Sequence, residues 1–380
     1  MDFALTEDQK SLKDLAALIL SENCTDESLR LFSRTGASHD EALWQILADA
    51  GLLGLGIAEE DGGTGFGMTE IGLVLEEQGR TLAPVPLYAT LVLGARSIVL
   101  GGSSEQKRRW LPEIAAGRVV ATAALEEPHN LDPALPSLRA VPSDGGWIVS
   151  GAKTAVPYGA QAKVAVVSAR TDEHGAIAFL IETGREGLSI TDQLTTGGEP
   201  HARFDFAEVR ITAADLLGAP AEGTTLVDSI VKQARIGLVA MQLGVAESAL
   251  RRTAEYTSSR IQFGRPIGSM QAAQQRAADG FIDLEAMRSS YLRAVWALDE
   301  GIATNAEIAA AKYWAAIGGH RITHSAQHMH GGIGADIDYP VHRYFLRARQ
   351  IETALGGATP MAAAIGKAIA QGQSHLLTRV

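Results

Sequence analysis

The period of the hydrophobic pattern changes twice along this chain, and that limits the fold more than any single residue does. From about 119 to 211, short runs such as GWIVSGAKTAV, KVAVVSAR, AIAFLIE and ARFDFAEVRI are rich in Val, Ile, Phe and Thr, with Gly, Asp and Pro between them. Apolar residues recur there at every second position, which predicts strands joined by short turns and hence an antiparallel β domain, a barrel or sandwich. No GxGxxG follows a strand, so a parallel dinucleotide fold is not expected.

On either side the period is helical. Thr6 caps a first amphipathic helix, with Asp8 or Gln9 in its first turn. Helices follow at 42–50 and Met68–Thr81, the latter ended by Pro84 and Pro86. Another is expected around 87–100, and a short one over 105–117, interrupted at Pro112. Beyond Leu226, the residues Ile236, Val239, Ala240, Leu243 and Leu250 mark one face of a helix that ends near 258–259. Ala277, Phe281, Leu284, Tyr291, Val295 and Leu298 mark the next; a third spans 305–329, and two shorter ones follow HGGIGADIDYP. The expected fold class is α+β: residues 1–118 helical, 119–222 a β domain, and 223–380 a C-terminal four-helix bundle.

Composition narrows the class. With 46% hydrophobic and 20% charged residues over 380 positions, the chain reads as a soluble protein of two or three packed layers. No apolar run reaches about eighteen residues, and the acidic N-terminus is no signal peptide, so no membrane association is expected. The only cysteine, Cys24, excludes an internal disulfide and fits a cytoplasmic location. A net charge of −11 argues against nucleic acid as a partner. His324, His328 and His330 form a group in which His324 and His328 share a helical face, but no acidic or cysteine third ligand lies near in sequence, so no metal site is expected and the three are read as lining a site or a helix contact.

Several stretches, in this order, resemble the acyl-CoA dehydrogenase family, and the resemblance covers essentially the whole chain. GLLGLGIAEEDGGTG at 51–65 is similar to the family's glycine-rich turn, and EQKRRWLPEIAAGRVVATAAL at 105–125 to the helix entering its β domain. RIQFGRPIGSMQAAQ at 260–274 and MHGGIG at 329–334 resemble its two C-terminal flavin signatures. The resemblance implies FAD as cofactor, an acyl-CoA thioester as substrate and an electron-transfer flavoprotein as acceptor. It also implies a cofactor-binding set of Arg260, Gln262, Phe263, Gln271, His328, Gly331 and Gly332, and Arg235 as a substrate-binding residue. Arg260 would pair with the pyrophosphate, Phe263 would pack beside the adenosine half, and Gly331 and Gly332 would let backbone approach the dinucleotide. His328 stands where relatives carry a glutamine that contacts FAD, with Gln327 beside it.

What is lost forms a pattern. Relatives remove the α-proton with a glutamate before the glycine of a YEG-type turn, or with one directly before an arginine on an earlier helix. The corresponding residues here are Gly356 and Ala234, so no catalytic base is expected in this chain. The family's Thr-Glu-Pro…Gly-Ser-Asp loop is reduced to LEEPHNLDP at 125–133, and its Trp-x-Thr beside the flavin ring is Ala155-Val156-Pro157. Proline offers no backbone N–H there. The eroded positions surround a subunit's own flavin ring, and the kept ones in this family reach a neighbour's ADP half. The tail HMHGGIGADIDYPVHRYFLRARQIETALGGAT resembles the base-lacking member of actinobacterial α2β2 enzymes that oxidise steroid side-chain CoA thioesters. Two other arrangements fit the same residues. One is a homo-oligomer with a relocated base, for which Glu126, Glu127, Glu247 and Asp336 are the acids to test, each with a plainer reading as a solvated or helix-stabilising carboxylate. The other is a flavin-less acyl-CoA-binding scaffold.

Overall fold

The computed structural model describes residues 3–372, so the extreme ends of the outer segments, 1–2 and 373–380, lie outside the described residues. Helix α1 (Glu7–Asn23) starts at the expected cap. Thr6 Oγ1 accepts the Gln9 N–H at 3.2 Å and Gln9 Oε1 accepts the Thr6 N–H at 3.0 Å, a reciprocal capping box. Helices α2 (Asp26–Phe32), α3 (Glu41–Asp49) and α4 (Met68–Thr81) follow. The helix expected around 87–100 is two segments in one: a π-helix, Tyr88–Ala95, runs into α5 (Arg96–Gly101). The reading of α6 needs correction. It runs without interruption over Ser104–Ala115, through Pro112. Trp110, Leu111 and Ile114 are buried on one face, and the carbonyl that Pro112 leaves without its helical partner belongs to exposed Arg108.

Eight strands make the sheet: β1 (Ala121–Ala124), β2 (Arg139–Ser143), β3 (Gly146–Pro157), β4 (Val164–Thr171), β5 (Gly175–Glu182), β6 (Leu188–Gln193), β7 (His201–Thr212) and β8 (Leu216–Leu217). They lie in the order β6-β7-β3-β2-β4-β5-β8, with β1 added on β4. Val149, Val167, Phe179, Phe204 and Ile211 fill its core. The antiparallel expectation holds for the hairpins but not throughout. β1 pairs parallel with β4, Ala121 facing Val164, and β2 meets β4 in parallel at Arg139 and Arg170. Neither pair is joined by a tight turn; loop 125–138 and the β2–β3 hairpin intervene, which returns the chain in the same direction.

Helix α7 (Gly223–Ser259) leads into a small hairpin, β9 (Ile261–Gln262) and β10 (Arg265–Pro266). Then come α8 (Gln271–Asp299), α9 (Asn305–His330), α10 (Val341–Thr353) and α11 (Ala358–Ala370), with α9 packed against the other three. One expected core residue is misplaced. Leu284, Tyr291 and Val295 of α8 are buried, but Phe281 is 58% exposed, because the inner face takes Gly280 and Asp283 instead. Asp283 bonds the guanidinium of Arg321 on α9.

The chain divides into two compact units. The first comprises Met1–Gly36, Gly72–Ala83 and Ile236–Val380; the second comprises Ala37–Ile71 and Pro84–Arg235. In the first, α4 and α7 meet through glycine. A Cβ on Gly244 would come within 1.8 Å of the Glu76 carbonyl oxygen, and one on Gly79 within 2.0 Å of that of Met241. That close approach lets Arg80 reach Glu76, Glu77 and Glu247 at 2.8–2.9 Å, while Arg288 also holds Glu247, at 2.7 Å.

Candidate functional site: an outward-facing surface and a closed seat

In the first unit, two chain segments are brought together by three rings. Arg260 closes the end of α7, its N–H donating to the Tyr256 carbonyl at 2.8 Å. His330 ends α9, and its ring stacks on Tyr256 at 4.3 Å with 21° between planes. Tyr339 lies against both, at 5.4 Å from His330 and 6.4 Å from Tyr256. The hairpin after Arg260 and the turn after His330 are thereby held side by side. Of the sequence-expected cofactor set, Arg260, Gln262, Phe263, Gln271, His328, Gly331 and Gly332 are all exposed. The Arg260 guanidinium has no ion-pair partner among the described residues.

Phe263 and Gly264 form a two-residue hairpin turn with φ of +52° and +76°, the left-handed pair that a type I′ turn requires. A phenylalanine in that conformation, 91% exposed, is strained and contributes nothing to the chain's own core. Gly331 has φ +62° and ψ −139°, a region open essentially to glycine alone. Nothing lies within 4 Å of a Cβ placed on Gly331 or Gly332, so a ligand can approach that backbone. A free guanidinium, an aromatic ring and open glycine backbone fit the phosphate and adenosine half of a dinucleotide.

The seats of a base are different. Gly356 follows α10 in the first unit, with φ of +104°, after Leu355 at +53°. Buried Lys312 fixes the helix end before it, donating to the carbonyls of Ile351 at 2.8 Å and Glu352 at 3.1 Å. A glutamate at 356 would be strained in that conformation. In the second unit, Ala234 is fully buried and its carbonyl accepts the Tyr88 hydroxyl at 3.1 Å. Arg235 beside it is largely buried, which pulls its guanidinium below the ordinary value; Asp132, 3.9 Å away, opposes that.

At the positions where the sequence led us to expect contacts to a flavin ring, the polar groups are bonded within the chain. Ala155 takes φ +50°, and its N–H donates to Gln193 Oε1 at 2.8 Å; Thr154 Oγ1 donates to the same oxygen at 3.2 Å. The Pro157 carbonyl accepts Thr122 Oγ1 at 2.7 Å. Those groups do not fit a flavin ring. Behind them, Glu127 and Lys153 form a fully buried pair at 2.7 Å. Burial alone would raise the Glu127 carboxyl, but the Lys153 ammonium and hydrogen bonds from Asn130 and Ser137 hold it at about 2. Glu247 is tied in the same way: burial pushes it up, and Arg80 and Arg288 hold it below the usual carboxylate range. Asp336 is exposed and accepts the Asp338 N–H at 3.0 Å. Sequence reasoning missed Gln193, Tyr88 and Lys312, whose roles come from tertiary contacts that no local motif announces.

Two family models match the chain: acyl-CoA dehydrogenase, N-terminal domain, over residues 6–118, and acyl-CoA dehydrogenase, C-terminal domain, over 221–370. Acyl-CoA dehydrogenase FadE27 of Mycobacterium tuberculosis is 37% identical over 98% of this chain and 99% of its own. Among solved structures, the ChsE4–ChsE5 complex from Mycobacterium tuberculosis matches with a TM-score of 0.92 and 38% identity, covering 98% of this chain and 99% of that one. The Tcur3481–Tcur3483 steroid ACAD matches with a TM-score of 0.90 and 41% identity, over 96% and 98% of the two chains.

Proposed function

The chain belongs to the acyl-CoA dehydrogenase family of FAD-dependent oxidoreductases acting on the CH–CH bond of acyl-CoA thioesters, and within it we propose a subunit that works beside a second chain. The second chain, of the same family, carries the base and the flavin-ring pocket. This one contributes Arg260, Gln262, Phe263, Gln271, His328, Gly331 and Gly332 to the ADP half of that chain's FAD. Arg235 keeps a place at an acyl-CoA site. When bound, FAD accepts the hydride of α,β-dehydrogenation, and an electron-transfer flavoprotein takes the electrons onward. The substrate class is a bulky thioester of the steroid side-chain type, by similarity to a solved steroid ACAD pair.

One observation carries this reading. The groups that would grip a nucleotide are exposed, with the Arg260 guanidinium unpaired among the described residues, while those that would grip a flavin ring are satisfied within the chain, as Ala155 and Gln193 are. A homo-oligomer would need both sets at every site. Glu127 and Glu247 are committed to ion pairs, which argues against a relocated base.

Single-turnover bleaching of the flavin by a saturated acyl-CoA tests the reading, using the complex with a base-bearing chain. Glu126→Gln and Asp336→Asn in this chain are expected to leave the bleaching rate unchanged. Loss of a general base costs about 10²–10⁴ in rate, so a slowing of that size in a folded, flavin-loaded variant would place the base here and end the proposal.

A further inference from the structure

The joint between the two exposed segments contains a group that neither the fold nor the proposed function requires. His330 is 3% exposed, and its Nδ1 lies 2.8 Å from the Ala326 carbonyl. Because a carbonyl only accepts, Nδ1 carries the proton and Nε2 presents a lone pair in the neutral ring. That Nε2 is buried and has no hydrogen-bond partner. An aromatic hydrocarbon side chain would stack between Tyr256 and Tyr339 without leaving a buried polar atom unsatisfied.

We infer that His330 is a positioning residue for the nucleotide-gripping surface, and that only its neutral ring, stacked on Tyr256 and packed by Tyr339, holds the Arg260 hairpin and the Gly331–Gly332 turn in register. The inference rests on the proposed function of that surface. Tyr256 sits one turn before Arg260, and His330 directly precedes Gly331, so a shift of the ring moves both segments. Protonation would add a buried N–H donor at Nε2.

Among the described residues no carboxylate acts on the ring to favour its charged form. On α9 the unpaired acceptor is the neutral, buried Oε1 of Gln327, and His328 is exposed. From α7 and the segment before α10, the facing groups are Tyr256 and Tyr339. The nearby charges, Arg252, Asp26 and Glu255, act on Tyr339, and Arg252 and Asp26 are paired with each other at 2.9 Å. Burial lowers the His330 pKa below its ordinary 6.5. An unfolded or opened joint therefore binds the proton more readily than the closed one. The closed joint is favoured fully above about pH 6.5, and that advantage is lost as the pH falls through the lowered value.

The test compares wild type with His330→Phe, which keeps a stacking ring and removes the titrating group. FAD release from the two-chain complex is followed by fluorescence, alongside thermal melting of the lone chain, from about pH 7.5 to 5.5. Wild type is expected to release FAD faster at the acid end, with a parallel drop in melting temperature, and His330→Phe to lose the acid acceleration of release and to show a smaller drop in melting temperature, the remainder belonging to other buried histidines such as His39. Identical pH profiles for the two proteins would overturn the inference. So would a difference in melting without one in FAD release, because the ring would then support the fold alone. Arg260→Ala at the upper pH separates the two claims. If it leaves FAD retention unchanged, the nucleotide reading of the surface fails; if it weakens retention while the His330 profiles coincide, only the joint does.

Discussion

Around Arg260, the guanidinium and the Phe263 ring face outward and the chain uses neither itself, while the backbone of Gly331 and Gly332 is open to approach although the Gly331 N–H closes α9 on the His328 carbonyl. Around Ala155, by contrast, the Ala155 N–H, Thr154 Oγ1 and the Pro157 carbonyl each have an internal partner. The difference shows how a cofactor pocket is lost without harm to the fold. Exposed groups need no partner, because water serves them, whereas an N–H in a half-buried strand must be paired. Gln193 therefore does for Ala155 what a ligand would have done. The Tyr88 hydroxyl does not leave Ala234 unserved either.

Several perturbations would break or sharpen that contrast. The largest effect is expected where the second unit keeps its buried framework. Lys153→Met strands the Glu127 carboxylate and should cost about 3–5 kcal/mol in urea unfolding, with much of that recovered by the double change Lys153→Met/Glu127→Leu. The same pair predicts an acid limb. Glu127 is held at about 2 against an ordinary 4.5, so its stabilisation is present above that ordinary value and is lost as the pH falls toward 2. A wild-type stability that is flat across that window would mean that the pair contributes nothing.

Next comes the exposed surface. Arg260→Ala should weaken FAD retention in the complex by about 1.5–3 kcal/mol, roughly ten- to a hundredfold, with the melting temperature of the lone chain unchanged. A loss of melting temperature would make Arg260 part of the fold instead. Gly356→Glu is expected to cost about 1–2 kcal/mol through its positive φ and to give no bleaching activity in the lone chain. The smallest effect belongs to Gln193→Ala, about 0.5–1.5 kcal/mol from the unpaired Ala155 N–H, again without flavin uptake, since Pro157 still lacks a donor. Flavin uptake by that variant would show that Gln193 alone closes the seat.

Much of this was legible in the sequence, for identifiable reasons. Thr6 and Gln9 announced a helix start because capping is local, and the period-two runs between 119 and 211 announced strands. Pro112 misled, because a helix whose Trp110 and Ile114 are buried tolerates one missing bond on its exposed side. The parallel pairing of β1 with β4 was hidden, since strand direction depends on the path between strands and not on either run. At the site, motif residues such as Arg260 and Gly331 could be named from the family resemblance, while the Tyr256–His330 stack that brings them together joins positions 74 apart in the sequence. Gln193 and Tyr88 lie in no motif at all. Absences were easier to read than replacements: Gly356 and Pro157 declare what they cannot do, but not which neighbour has moved in.

The division of labour is tested most directly by the flavin content of the purified protein. The chain is made alone and again together with a base-bearing acyl-CoA dehydrogenase chain, and the flavin absorbance of each preparation is compared with its protein content. The account predicts little or no FAD in the lone chain and FAD stoichiometric with the pair of chains in the complex. Stoichiometric FAD with a ring-stacked spectrum in the lone chain would contradict it, because Ala155, Pro157 and Gln193 would then be holding a ring that their geometry gives them no means to hold.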